Sequence, residues 1–307
     1  MVEGLTRGSS FFRRHARRRP WLVFLLPSLC VLGLIAGWPL LRTIYFSFTD
    51  ARLMNLSQAR LVGLQNYAYL WQDPLWWQVI RNTLTFTTIS VFLETIFGLI
   101  LACVLKQNFT GRGALRAVVL IPWAIPTVVS AQIWAWMYHD IYGIINHLLV
   151  SIGVLNQGVA WLGGGKISLT AAILADVWKT TPFMALLLLA GLQMIPQDYY
   201  EAAKIDGVHP LKVFYKITLP LLKPVLIVAI IFRLLDSLRI FDLIFILTSN
   251  ASDTMSLSIY ARQQTFDFQH MGIGSAASTC LFVCVSCVAV FYLLINTQER
   301  PHARPKY

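Results

Sequence analysis

Six long apolar stretches, at 21–46, 83–105, 115–138, 169–192, 225–247 and 275–296, alternate with segments in which charges and turn-forming residues gather. About 20 apolar residues in a helix cross the hydrocarbon core of a bilayer, so each stretch is predicted to be a transmembrane helix. The first begins soon after a basic segment, as a secretory signal would. Its apolar run is longer than a signal core and no small-residue cleavage site follows, so it is expected to persist as a span. Between the fourth and fifth stretches lies a polar segment, 196–222, dense in helix-forming residues and too charged to enter lipid.

Composition agrees with the pattern. Hydrophobic residues make up 57% of the 307 positions and charged residues only 13%, whereas a soluble domain carries about 25% charged residues. Most of the Lys and Arg fall on one side of the predicted spans. They include Arg7, Arg13, Arg14, Arg17, Arg18 and Arg19 before the first, Lys106, Arg112 and Arg116 between the second and third, Lys204, Lys212, Lys216 and Lys223 in the polar segment, and Arg300, Arg304 and Lys306 at the end. The positive-inside rule then puts both termini in the cytoplasm. The net charge of +11 needs no nucleic acid to explain it. The predicted organisation is a cytosolic basic segment at 1–20, one six-helix transmembrane domain at 21–296, and a cytosolic tail at 297–307. All five cysteines lie inside spans. Cys284-x-x-Cys287 has metal-pair spacing but no further ligands nearby, and reads as small, polarisable packing residues.

The polar segment has its own local logic. Pro196 is placed to break the fourth span, and Asp198 and Glu201 suit the first turn of a helix. Gly207 can end that helix, and His209-Pro210 fits the start of another. Val213, Phe214 and Ile217 then form a short apolar stripe before Leu219-Pro220 returns to the membrane. The expected product is a helix–turn–helix on the cytosolic face. By physics alone it could rest on lipid headgroups or dock a partner.

The spacing Glu201-Ala202-Ala203, three residues, Gly207, nine residues, Ile217-Thr218-Leu219-Pro220 resembles the coupling-loop motif of importer-type ABC transporter permeases. Phe46-Ser47-Phe48-Thr49-Asp50, Val62-Gly63-Leu64-Gln65-Asn66-Tyr67 and Arg81-Asn82-Thr83 resemble sugar permeases of the maltose and glycerol-3-phosphate importer group. Trp178–Met184 and Arg233–Asp242 look most like the first of two permeases in trehalose- or maltose-type systems. The resemblance implies an all-α, type I importer permease fold in the bacterial cytoplasmic (inner) membrane. It also implies a second permease as heterodimer partner, two ATPase subunits that bind ATP and magnesium, and an extracytoplasmic solute-binding protein. Glu201, Ala202, Ala203, Asp206, Gly207, Phe214, Ile217, Leu219 and Pro220 would couple to an ATPase. The large extra outer domain and additional N-terminal spans of the enterobacterial maltose permease are absent from this sequence.

Charges inside spans are costly and call for a reason. Arg233, Asp236, Arg239 and Asp242 recur every three residues with alternating sign in the fifth stretch, as a ladder of i,i+3 neighbours would. Asp176 and Lys179 make a second such pair in the fourth, beside Trp178. Transporters place substrate near this depth. Carboxylates accept from sugar hydroxyls, cations donate to sugar oxygens, and an indole stacks on the C–H face of a pyranose. Asp236, Arg239, Trp178, Lys179, Asp242, Arg233 and Trp134 are therefore the candidate substrate-pathway residues. The alternative is that the ladder only pins spans together. Glu94, a lone carboxylate in the second span, calls for a buried partner or a protonated state ahead of a ligand, and Pro122 and Pro126 should bend the third.

Other classes are disfavoured. The six histidines are scattered with no His-Glu-x-x-His, and no Gly-x-x-x-x-Gly-Lys-Ser/Thr loop is present, so neither metallohydrolase nor ATPase chemistry is expected of this chain. A secondary transporter would use midplane charges but would not need the docking loop.

Overall fold

The computed structural model describes residues 20–298, with side chains for 24–294; the basic N-terminal residues and the tail lie outside this range. Its helices, in chain order, begin with α1 (Phe24–Ser47), α2 (Gln65–Gln72) and α3 (Pro74–Lys106). The broken pair α4 (Arg112–Ala124) and α5 (Thr127–Met137) is followed by the short α6 (Ile144–Ser151). Then come α7 (Gly165–Gln193), α8 (Asp198–Ile205), α9 (Pro210–Ser237), α10 (Asp242–Thr248), α11 (Leu257–Arg262) and α12 (Met271–Gln298). Among the described residues, α1, α3, α7, α9 and α12 are long and apolar enough to cross a membrane, and α4–α5 counts as a sixth crossing if it is one broken span.

α7 is the centre of the bundle. It packs along α3 and also against α4 and α9, while α1 pairs with α12 at the periphery. The hydrophobic window of α1 has no buried position, as suits a helix facing lipid. Close crossings are made by glycine. A Cβ on Gly98 would lie 2.6 Å from Met184 Cγ, and one on Gly191 would lie 2.8 Å from Leu222 and Val225 side-chain atoms. Small residues at these points let the backbones approach.

The buried apolar side chains form two clusters. One holds Phe86, Ala175, Val177, Leu243, Ile259 and Tyr260. The other, nearer the polar loop at 196–222, holds Ala102, Leu105, Met184, Leu188, Leu222 and Ala229. Between them, α3, α7 and α9 contribute a layer of buried polar groups that includes Glu94, Asp176, Thr180 and Arg233.

Two stretches differ from the pattern the sequence suggests. The third breaks rather than bends: Ile125 is extended and Pro126 starts α5 afresh, so α4 and α5 meet at 89°. Proline excludes the residue before it from helical geometry and removes a donor, and Pro126 does both at this point. Pro122, by contrast, is accommodated inside α4. The fifth stretch is shifted. Its helix starts at Pro210 and ends at Ser237, with a turn at 238–241 before α10. Asp236 therefore lies at a helix end rather than mid-span.

The residues quoted for the family resemblance act as ties between loops. Asn66 donates to the carbonyls of Ser47 and Thr49, both at 2.8 Å. Asn82 donates to the carbonyls of Ser252 and Met255, and Thr83 Oγ1 accepts from the Leu257 amide. Tyr260 donates to Asp73 at 2.6 Å.

Candidate functional site: a charged cavity and a docking loop

α8 opens with Asp198 and Glu201 in its first turn and closes on a glycine motif. Gly207 stands at φ +66°, its amide donates to the Lys204 carbonyl, and the Val208 amide donates to the Ala203 carbonyl. This pattern satisfies the last carbonyls of a helix and needs a left-handed residue. His209 caps the next helix by accepting from the Leu211 amide, with Pro210 at its first position. Glu201, Ala202 and Asp206 are exposed, whereas Ala203 is buried. Asp198, Ala202, Ala203, Asp206 and Ile217 line one hollow of about 420 Å³. Phe214 instead faces a second of about 460 Å³, between the loop and the ends of α3 and α7. Here Lys106 lies over the Tyr200 ring at 3.9 Å, and Tyr200 shares a hydrogen bond with Thr218.

The helix that follows does not lie apart from the span. Residues 210–237 run on continuously through a π-helical turn, Phe214–Thr218, in which the Leu219 amide reaches the Phe214 carbonyl. Pro220 has no amide to offer Lys216, and the wider turn accommodates that loss while the helix continues. Leu219 and Pro220 are thus inside a rod that joins the loop to the polar layer.

At the other end of that rod is Arg233, 3% exposed. Its Nε donates to Glu94 Oε2 at 2.5 Å and its Nη2 to Glu94 Oε1 at 2.8 Å, a two-pronged pair between α9 and α3. Nη2 also reaches Asp176 Oδ2 at 3.2 Å, and Nη1 donates to Asp236 Oδ2 at 2.5 Å. Thr180 donates to Glu94. Glu94 thus has its buried partner, one the sequence could not single out. Only the first step of the anticipated ladder, Arg233 to Asp236, forms. Arg239 turns back to the Leu235 carbonyl, and Asp242 begins a separate helix because the chain turns at 238–241. Nor does Lys179 pair directly with Asp176. Its ammonium donates to the Ile125 carbonyl at 3.0 Å, at the break in the third span.

These groups face a cavity of about 700 Å³. Its polar wall includes Asp176, Lys179, Arg233, Asp236, Arg239 and Asp242, and its apolar wall includes Trp123, Phe183 and Phe232. Trp123 and Phe183 stack with centroids 5.4 Å apart and planes 18° apart. Trp134 and Trp178 meet each other edge to face at 5.6 Å and do not line this cavity. Sequence reasoning missed Trp123. Its place just before the Ile125-Pro126 break was the available signal, since a break turns the preceding side chains toward the space it opens. Among the described residues no cluster of His, Cys, Asp and Glu is suited to a metal. Cys284 and Cys287 are exposed on α12 rather than packed.

Comparison with known proteins accords with this geometry. Residues 94–300 match the family described as binding-protein-dependent transport system inner membrane component. The trehalose/maltose transport system permease protein MalF of Thermococcus litoralis is 44% identical over 280 residues, covering 91% of this chain and 94% of that one. The trehalose transport system permease protein SugA of Mycobacterium tuberculosis is 34% identical over 99% of this chain and 98% of its own. The sulfoquinovosyl glycerol transport system permease protein SmoG of Agrobacterium fabrum is 37% identical over 91% of each chain. In fold, the chain superposes on a bacterial ABC transporter involved in the import of the acidic polysaccharide alginate. The TM-score is 0.80 at 22% identity, covering 94% of this chain and 99% of that chain. The chain belongs to the binding-protein-dependent transport system inner membrane components and is a permease of the ABC importer type, not an enzyme.

Proposed function

We propose that the chain is one of two permeases in an ATP-driven importer of a disaccharide such as trehalose or maltose, and that it forms half of the translocation pathway. The observation that carries this reading is the 700 Å³ cavity, with carboxylates and cations on one wall and a stacked Trp123–Phe183 pair on the other. Sugar recognition combines hydrogen bonding to hydroxyls with aromatic contact on C–H faces. Asp236 and Arg239 are exposed and line the cavity; sugar hydroxyls would donate to the Asp236 carboxylate and accept from the Arg239 guanidinium. The names of the trehalose and maltose relatives support the substrate class.

On this reading the exposed edge of Glu201, Ala202, Asp206 and Gly207 docks on an ATPase subunit, with the loop in the cytoplasm and both termini on that side. ATP and magnesium belong to that ATPase. Closure of the ATPase pair would move the loop, and α9 would carry the motion to Arg233. An extracytoplasmic binding protein would deliver the sugar on the opposite side. Uptake of labelled trehalose, maltose and glycerol 3-phosphate, compared in cells with and without this subunit at equal ATP, tests the proposal. Loss of a disaccharide alone supports it; loss of glycerol 3-phosphate alone, or of none, overturns the substrate assignment.

A further inference from the structure

The break between α4 and α5 leaves the Ile125 carbonyl at the C-terminal end of α4, where a helix carries partial negative charge. A lysine from another helix meets it. Lys179, on α7 and only 8% exposed, gives its ammonium to that carbonyl at 3.0 Å. One turn along α7, Phe183 stacks on Trp123, two residues before Ile125. α7 thus grips the end of α4 at two successive turns, one polar and one aromatic. Both Trp123 and Thr127, which flank the break, line the cavity.

Lys179 has acidic alternatives close by, Asp176 on its own helix and Asp236 across the cavity. Arg233 already holds both, at 3.2 and 2.5 Å. The arginine therefore leaves the lysine to a neutral backbone carbonyl.

We propose that Lys179 is a positioning residue for transport: it pins the broken third span at Ile125, so that Trp123 and Thr127 face the cavity, and does not itself bind sugar. This deepens the importer reading and rests on it for its transport consequence, but not for its structural one. A charge-assisted bond of this kind is among the stronger hydrogen bonds. Its loss should lower the maximal uptake rate by about tenfold or more. Because the lesion is in the shape of the pathway, every sugar the importer accepts should lose the same factor. A sugar-binding lysine would instead discriminate between sugars.

The test uses the full chain, assembled with its partner subunits in lipid nanodiscs and with its five cysteines replaced. Spin labels are placed at Val118 on α4 and Trp136 on α5, both exposed. At about 1.5 Å per residue, these sites lie roughly 27 Å apart on a straight helix and roughly 18 Å apart across a right-angled break. The expected result is the short distance in the unsubstituted chain and in Lys179→Arg, which keeps a cationic donor, and a longer or broadened one in Lys179→Met. An unchanged distance in Lys179→Met overturns the proposal, as does a lengthened one in Lys179→Arg. The distances are read without sugar or ATP, so they stand whether or not the substrate assignment does. Uptake by the same variants completes the test: equal loss for trehalose and maltose supports positioning, and unequal loss overturns it.

Discussion

Replacing Arg233 with methionine removes the one cation that α3, α7 and α9 share. Glu94 is fully buried and Asp176 is 3% exposed; without Arg233, Glu94 loses both bonds from the guanidinium, and Asp176 keeps only Lys179 nearby, whose ammonium is given to the Ile125 carbonyl. Asp236 matters less, because its side chain is 68% exposed and water would replace the lost partner. Breaking a buried ion pair costs about 3–5 kcal/mol. At about 2.1 cal/mol/K of unfolding entropy per residue, each kcal/mol shifts the melting temperature of a protein of this size by about 1.5 °C, so the variant should melt roughly 5–8 °C below the parent. Glu94→Gln should cost less, since the amide oxygen still accepts from Arg233 and the arginine keeps both aspartates. Combining Glu94→Gln with Arg233→Met should cost less than the sum of the two, because only one buried carboxylate is then left bare. The assay is thermal unfolding of the detergent-solubilised chain, followed by tryptophan fluorescence, for the parent, both single variants and the double. If Arg233→Met melts within about 2 °C of the parent, or the double variant is simply additive, the polar layer does not hold the three helices together and the argument fails.

Other expectations can be checked as directly. Gly98→Val should overpack the α3–α7 crossing against Met184 by about 1–3 kcal/mol, seen as a lower melting temperature and poor expression. Gly207→Pro, which cannot adopt the positive φ found there, should abolish uptake while the binding protein still captures sugar; normal uptake would contradict the docking role. Trp123→Ala should reduce disaccharide uptake more than Trp178→Ala, because only Trp123 lines the cavity; the reverse order in a transport assay would move the pathway. Burial, and next the bond to Asp73, raise the Tyr260 phenol above the ordinary tyrosine value of 10.0. The folded state therefore holds that proton more tightly, so the stability this bond contributes is intact below pH 10 and declines as pH rises beyond it. Tyr260→Phe should flatten that decline in an alkaline unfolding series.

Local sequence carried some of this architecture and not the rest. Gly207, His209 and Pro210 specify the turn between α8 and α9 by backbone geometry alone, and Pro126 marks the broken span, since both effects act within a few residues. The end of α9 carries no such mark. Residues 238–241 are Leu-Arg-Ile-Phe, with no proline or glycine; the carbonyls of Ile240 and Arg239 are instead taken up by Ser256 and Ser258, at the start of α11. Likewise, Glu94 and Arg233 stand 139 positions apart, so their pairing is set by packing. The choice of Trp123 over Trp178 for the cavity wall depends on which way each helix is rotated, and apolar periodicity says little about that in α7, which is buried on most sides.

The unbroken run from Pro210 to Ser237 can be weighed as a lever. Arg233 lies about 35 Å along it from Pro210, so a tilt of about 10° pivoting at the loop would sweep the guanidinium through roughly 6 Å. Hydrogen bonds at 2.5–2.8 Å to Glu94 survive displacements of only a few tenths of an ångström. If an ATPase moves the loop as proposed, either those bonds rupture in every stroke, or α3 and α7 swing with α9 as one block. The second course is far cheaper, because it keeps the bonds between Arg233 and Glu94 intact, and it moves three helices where one would otherwise move.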